Sequence, residues 1–357
     1  MDTDLPMACM TSYQVTQFAA PLTKVERPVP QPGPDEILLR VLCCGVCHTD
    51  LHLLDGHFDM GRGRQLSLGR AVRLPHTPGH EIVASVSAVG SAVSDVAPGS
   101  TWLLYPWIGC GQCPLCHDGD EHLCDRPRSL GGTADGGFSD HILVPHQRYL
   151  VDFGAVAAEQ ACTWACSGLT AFSALKKAGA ASAARPLLVI GAGGVGQAVL
   201  HLCRTIHDFA AVVADIDPAK RSAALLSGAA SVLDPGHPDT VRSLLKAGQG
   251  FATVIDCVGS QQSLEFGMTL LRKGGKLIVV GLYGGACEIP VPSLPLRSIS
   301  LIGSYVGSLA ELQELAALGR AGRIAPMTLS CRPLARAQLA LDDLRAGNVS
   351  GRAVLVP

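Results

Sequence analysis

Residues Leu187–Gly196 read LLVIGAGGVG, and no other stretch restricts the fold as tightly. A short, fully apolar run predicts a strand buried on both faces, and the run Gly194–His207 that follows predicts a helix. Between them lies Gly191-x-Gly193-x-x-Gly196. Gly191 permits a tight turn, Gly193 allows a diphosphate to approach the backbone, and Gly196 lets strand and helix pack closely. The helix N-terminus then offers free N–H groups and a positive dipole end. Gly194, Val195 and Gly196 complete the expected contact surface, with Val258 and Val280 at later strand ends. About 20 residues on, Asp215 closes the next apolar run. A carboxylate there accepts hydrogen bonds from ribose hydroxyls and repels a 2′-phosphate, which favours NAD over NADP.

The texture downstream agrees. Leu187–Gly191, Ala211–Asp215, Ser231–Asp234, Thr253–Val258, Lys276–Gly281 and Ser298–Tyr305 alternate with helical stretches, as in a doubly wound parallel sheet. Pro290, Pro292 and Pro295 argue against a helix before the last of these strands. The first 150 or so residues read differently. Short β-rich runs such as Glu36–Leu42 and Glu81–Val89 sit between Pro/Gly clusters, which predicts an all-β region. The tail predicts helices within Leu309–Leu344 and a last strand at Arg352–Val356.

The chain has 357 residues, room for two domains. Charged residues make up 16%, against about 25% in an average soluble protein, so part of the surface is expected to be buried between subunits. Net charge is -2, which leaves no basic footprint for nucleic acid. No apolar run reaches the length of about 18 residues that a membrane helix requires. Met1–Met10 carries acids and no basic n-region, unlike an export signal. The expected compartment is the cytoplasm, where the 14 cysteines serve as metal ligands or buried thiols rather than disulfides.

Cys110-x-x-Cys113-x-x-Cys116-x7-Cys124 is the strongest chemical signal. Four thiolates so spaced can close a tetrahedron around Zn2+ and leave no open position, which means a structural role. The surrounding GCGQCPLCHDGDEHLC is polar and turn-rich, so the metal supplies its folding energy. Disulfides or an iron–sulfur cluster are the alternatives; the first conflicts with the compartment, and nothing else in the chain suggests electron transfer. A second set is dispersed: Cys47 and His48, His80 and Glu81, and Cys166. Singly these are ordinary residues, and Cys43, Cys44, Cys162, Cys203, Cys257, Cys287 and Cys331 read as small buried hydrophobes.

Taken in order, GVCHTD, GHE, the four-cysteine lobe, CSGLTA, GAGGVG, the acid after the second strand and the terminal GRAVLV resemble the zinc-containing medium-chain dehydrogenase/reductase family of alcohol dehydrogenases, over nearly the whole chain. The resemblance implies an α/β architecture: a GroES-like β-rich catalytic domain at 1–167 and 308–357, and a Rossmann domain at 168–307. It implies that Cys47, His80 and Cys166 hold a catalytic zinc with a fourth position open, giving two zinc ions per subunit. Glu81 falls on an acid behind the metal, and Asp50 on the carboxylate that orients His80. Thr49 falls on the hydroxyl that takes the alcohol proton, and His52 on the solvent end of a relay through the nicotinamide ribose. His48 and Arg352 match pyrophosphate contacts, Lys220 an adenosine-ribose contact, Thr170 a nicotinamide contact and Trp107 a pocket wall. The implied reaction is NAD-linked interconversion of a primary or secondary alcohol with its aldehyde or ketone.

The sequence departs from the family pattern twice. Gly99-Ser100-Thr101-Trp102 replaces the usual GDRV, and the stretch from Gly56 to Pro78 is longer and carries Arg62, Arg64, Arg70 and Arg73. The long insertion of liver-type enzymes beside the lobe is absent, which leans towards a homotetramer rather than a dimer. The arginine segment reads as a surface loop or subunit contact, or else as a recognition element for anionic substrates. A polyol-type dehydrogenase, a zinc-free quinone reductase and a non-catalytic NAD-binding zinc protein are the rival readings. Cys166 argues against the first, and the intact ligand and relay set against the others.

Overall fold

The computed structural model describes residues 8–248 and 250–357. Met1–Met7, within the stretch that argues against an export signal, lie outside the described residues. Two sheets dominate. One has six parallel strands in the order Ser231–Leu233, Val212–Ala214, Leu187–Ile190, Phe251–Asp256, Leu271–Val279, Ser300–Gly303. Each expected strand is present with ends shifted by a few residues. The strand order reverses between Leu187–Ile190 and Phe251–Asp256, and ligands bind doubly wound sheets in the crevice beyond that point. The helix Gly194–His207 has the bounds the sequence indicates. Its buried stripe includes Ala198, Val199, Leu200, Leu202 and Cys203, and Arg204 and His207 complement the dipole in its last turn.

The second sheet runs Leu329–Pro333, Arg352–Val356, Ile37–Gly45, Glu81–Val89, Thr101–Leu104, Leu150–Val151. Ile37–Gly45 is the spine: it pairs with Glu81–Val89, Arg352–Val356 and His141–Val144. Ile37, Leu39, Ile82, Leu103, Leu104 and Phe138 are fully buried around it.

Two expectations fail locally. The N-terminal region is not all-β, because His48–Asp55 is a helix. The Asp50 carboxylate accepts the Cys47 backbone N–H (2.8 Å), and Gly56 closes the far end at φ 78°. Capping at both ends outweighs the weak periodicity of so short a segment. The prolines also fail to exclude a helix, since Ser293–Arg297 forms one turn. Pro292 is its cap and Pro295 lies in the first turn, where a missing N–H breaks no internal bond.

The Gly-rich turn is packed backbone to backbone. Gly191 has φ 90°, and a Cβ on Gly196 would lie 1.8 Å from the Gly191 carbonyl oxygen. Because the obstructing atom is backbone, Gly196→Ala should destabilise by ~1–3 kcal/mol or more, the usual cost of overpacking, seen as a lower urea midpoint.

Candidate functional site

Cys47, His80 and Cys166 come from three separate elements and converge. Cys47 caps the helix His48–Asp55, His80 precedes the strand Glu81–Val89, and Cys166 precedes the helix Ser167–Ala178. All three are buried, and one ligand atom from each lies within 4.8 Å of the others. The two sulfurs are 3.9 Å apart. Asp50 organises the set. One of its oxygens caps the helix, while the other accepts the Gly79 N–H (3.0 Å) and faces His80 Nδ1 (3.4 Å). His80 Nε2 is then left as a buried nitrogen without a hydrogen-bond partner.

The protonation balance points the same way. The hydrogen bond from Cys166, opposed by burial and aided by Arg352, holds the Cys47 thiol well below its usual range. That same bond, together with burial, pushes Cys166 well above its own. Two sulfurs sharing a proton beside an orphaned imidazole nitrogen are a donor set that fits a thiophilic cation such as Zn2+. Cys110, Cys113, Cys116 and Cys124 form the second set, with Sγ atoms within 4.8 Å of one another. The Cys124 sulfur accepts backbone N–H groups of Cys110 and Arg126 (both 3.3 Å), and backbone hydrogen bonding led by Gln112 draws Cys110 down to about 6. This lobe too fits a cation, and its four sulfurs exhaust a tetrahedron.

The other expected residues are placed around the first set. Thr49 Oγ1 lies 3.7 Å from Cys47 Sγ. One helical turn on, the His52 ring packs on Phe58 (centroids 4.6 Å), and burial, reinforced by His48, lowers its pKa. Burial likewise lowers His48, which also feels the charges of Arg352 and Lys220, so three basic groups face one region. Thr170 is buried in the first turn of Ser167–Ala178. Trp107 donates its indole N–H to the Ala165 carbonyl (2.9 Å), and its ring stands 5.2 Å from that of His80.

At the nucleotide turn, a Cβ on Gly193 would meet nothing within 4 Å, so the backbone there faces open space. Asp215 accepts the Ala192 N–H (2.7 Å) and the Asp217 N–H (2.9 Å), which holds its carboxylate beside the turn. Val258 closes on Gly191, and the Val280 N–H bonds the Asp256 carbonyl (2.9 Å).

Three features escape sequence reasoning. Arg352 grips Glu81 through two hydrogen bonds, Nε to Oε2 at 2.9 Å and Nη2 to Oε1, with both side chains buried. Burial works against the guanidinium, but Glu81 and the two thiols outweigh it and hold its pKa well above the usual value. Secondly, Tyr305 meets Trp107 edge-on (5.8 Å). Its place at the carboxyl end of a parallel strand was the signal that could have found it. Thirdly, the arginine segment folds into a hairpin, His57–Asp59 with Gln65–Ser67, that docks on the loop Gly284–Glu288. The Gly285 N–H bonds the Asp59 carbonyl (3.3 Å), and Arg62 pairs with Glu288, while Arg64, Arg70 and Arg73 are exposed. Among the cysteines read as core, Cys43, Cys44, Cys162 and Cys203 are buried. Cys257 and Cys287 are partly so, and Cys331 is exposed because its strand lies at the sheet edge.

Comparison with known proteins places this geometry. Residues 33–153 match the alcohol dehydrogenase GroES-like domain and residues 194–320 the zinc-binding dehydrogenase domain. An NAD-dependent alcohol dehydrogenase of Sulfurisphaera tokodaii is 33% identical, covering 98% of this chain and 100% of the relative. An NADP-dependent D-arabinose 1-dehydrogenase of Saccharolobus solfataricus is 28% identical, covering 96% of each. The crystal structure of an alcohol dehydrogenase from Aeropyrum pernix superposes with a TM-score of 0.86 at 29% identity, over 97% of this chain and 100% of that one. Two matched domains in order, a full-length relative and a shared fold identify the chain as a member of the zinc-containing medium-chain dehydrogenase/reductase family, of the alcohol dehydrogenase type.

Proposed function

We propose that this protein is a zinc-dependent, NAD-linked alcohol dehydrogenase acting on a primary or secondary alcohol, or on the carbonyl in reverse. The observation that carries the reading is the buried donor set of Cys47, His80 and Cys166, with His80 Nε2 unpartnered. Zinc held there would supply Lewis acidity towards a substrate oxygen, and a bound nicotinamide would supply the two-electron acceptor or donor. The chain's own residues do the rest. Thr49 Oγ1 accepts the substrate's hydroxyl proton as it gives up its own. His52, half-buried at the next turn of the same helix, passes it to solvent. Trp107 and Tyr305 wall the substrate side and keep water from the reacting carbon.

For the cofactor, Gly191, Gly193, Gly194, Val195 and Gly196 cradle the diphosphate, His48 and Arg352 contact it, and Lys220 contacts the adenosine ribose. Asp215 takes the adenosine ribose hydroxyls, which favours NAD. Thr170, Val258 and Val280 border the nicotinamide end. Residues 1–167 and 308–357 form the catalytic part and 168–307 the nucleotide-binding part. A sugar or polyol substrate is the second reading, favoured by the D-arabinose 1-dehydrogenase relative. We further infer a cytoplasmic homo-oligomer, with a tetramer ahead of a dimer. Fourteen cysteines read as metal ligands and small hydrophobes rather than disulfides suit a reducing compartment. The edge strand Ser300–Gly303, with exposed Leu301 and nearby Val291 and Leu296, suits pairing with another subunit.

Metal analysis should find two zinc ions per subunit. Cys166→Ser should lose one of them together with turnover while the fold survives. Cys113→Ser should lose the other and lower Tm, because the lobe depends on its metal. Assays of ethanol, secondary alcohols and pentoses with NAD+ and NADP+ separate the two readings; a single zinc, or turnover confined to pentoses with NADP+, contradicts the first.

Because burial lowers the His52 pKa, its ring is a neutral proton acceptor at pH 7, and alcohol oxidation should weaken only as pH falls below the ordinary histidine value of 6.5. His52→Ala should slow oxidation at pH 7 by about 10- to 100-fold and respond to added imidazole. An unchanged pH–rate profile would assign His52 a structural role.

A further inference from the structure

Tyr305 is presented by a turn held in an unfavourable conformation. The next residue, Val306, is buried and has φ 35°, in the left-handed region that β-branched residues avoid. Such a conformation persists only where surrounding contacts over-determine it. Here the contacts come from both sides. Lys177 Nζ donates to Ser304 Oγ (3.0 Å) and to Ser173 Oγ (2.9 Å). On the far side the Tyr105 hydroxyl, fully buried, donates to the Gly307 carbonyl (2.9 Å). A Cβ on Gly307 would lie 2.7 Å from both Leu169 Cδ1 and Glu311 Oε2, so the turn is also wedged against the helices Ser167–Ala178 and Leu309–Arg320.

Lys177 is an unusual tether. Its ammonium is partly buried, bonds to two hydroxyls, and makes no ion pair with a carboxylate among the described residues. Burial lowers its pKa, with Glu311 and Asp120 opposing. Its helix begins directly after Cys166 and carries Thr170. The tether therefore joins the element bearing a metal-set cysteine to the turn bearing Tyr305. The Tyr305 ring meets Trp107, which in turn meets His80, and its phenol is pushed up to about 12 by burial and by the neighbouring Cys166 and Cys47.

The geometry assigns Lys177 and Tyr105 as positioning residues: they hold the strained Ser304–Gly307 turn so that Tyr305 forms a fixed, specificity-determining wall of the substrate pocket. The inference rests on the proposed reading of Tyr305 as a pocket wall. Neither residue touches substrate; both act through the turn. Freed from them, the turn relaxes towards ordinary backbone geometry and Tyr305 leaves its station against Trp107.

The test compares whole enzyme with Tyr305→Ala, Lys177→Met, Lys177→Arg, Tyr105→Phe and the double variant Lys177→Met/Tyr305→Ala. Zinc content, NAD+ affinity and Tm are measured for each. The readout is the ratio of kcat/KM for benzyl alcohol to that for ethanol. Tyr305→Ala should shift this ratio by about tenfold, the scale of one altered contact in an apolar pocket. Lys177→Met and Tyr105→Phe should shift it in the same direction, through KM more than kcat, and Lys177→Arg should restore part of it. The double variant should match Tyr305→Ala alone, because both changes remove one and the same wall. If Tyr305→Ala moves the ratio while Lys177→Met and Tyr105→Phe leave it in place, the positioning role is overturned. If Tyr305→Ala itself leaves the ratio unchanged, the pocket-wall reading fails and takes this inference with it. Should Lys177→Met fail to fold, Tyr105→Phe and Lys177→Arg decide the same question.

Discussion

The buried pair of Glu81 and Arg352 is the contact on which the rest of the molecule leans. Glu81 stands next to His80, and its Oε1 accepts the Ser167 N–H (3.3 Å), directly after Cys166. A Cβ on Gly45 would lie 2.0 Å from Glu81 Oε2, so the neighbouring strand tolerates only glycine there. Arg352 opens the last strand and lies 3.0 Å from the position a Gly194 Cβ would take. One ion pair thus joins the metal set, the spine of the β-rich sheet and the Gly-rich turn. Removing one partner of such a pair costs about 3–5 kcal/mol, because a charge is left buried and alone. That is a large share of the roughly 5–15 kcal/mol by which a protein is stable.

Asp50 is the second point of economy. A single carboxylate caps the helix that carries Cys47, Thr49 and His52, and it faces His80 from behind. Helix formation and imidazole orientation are therefore one event. Ligand geometry is set before any metal arrives, which is how an outer contact raises metal affinity. The same compactness explains why the thiols share a proton: low exposure and close sulfurs make two free thiolates unfavourable in the absence of a cation.

Between the two sheets, contact is made by glycines as much as by charges. The hairpin after the helix His48–Asp55 reaches the loop Gly284–Glu288, where a Cβ on Gly61 would lie 2.4 Å from the Ala286 nitrogen. The Arg62–Glu288 pair at its tip is exposed on both sides. Exposed pairs contribute about 0–1 kcal/mol, so the close backbone packing carries this junction. The arginines that stand out in the sequence are accordingly mostly solvated, and Gly61, just ahead of the first of them, is the residue that the packing requires.

Much of this protein is legible in its sequence. The strand–glycine–helix unit at Leu187–His207, the six strands and the four-cysteine lobe follow from local rules: periodicity, turn chemistry and ligand spacing act over a few residues. The dispersed metal set became readable only as an ordered ensemble, since Cys47, His80 and Cys166 share no local pattern. The helix His48–Asp55 was missed because its stability lies in its caps rather than in an apolar stripe. The partnership of Glu81 with Arg352, 271 residues away, and the strained turn that presents Tyr305 were decided by the tertiary structure alone. Sequence records which groups exist. Burial decides which of them must find one another, because only inside the protein does an unpaired charge or a lone imidazole nitrogen carry a large penalty.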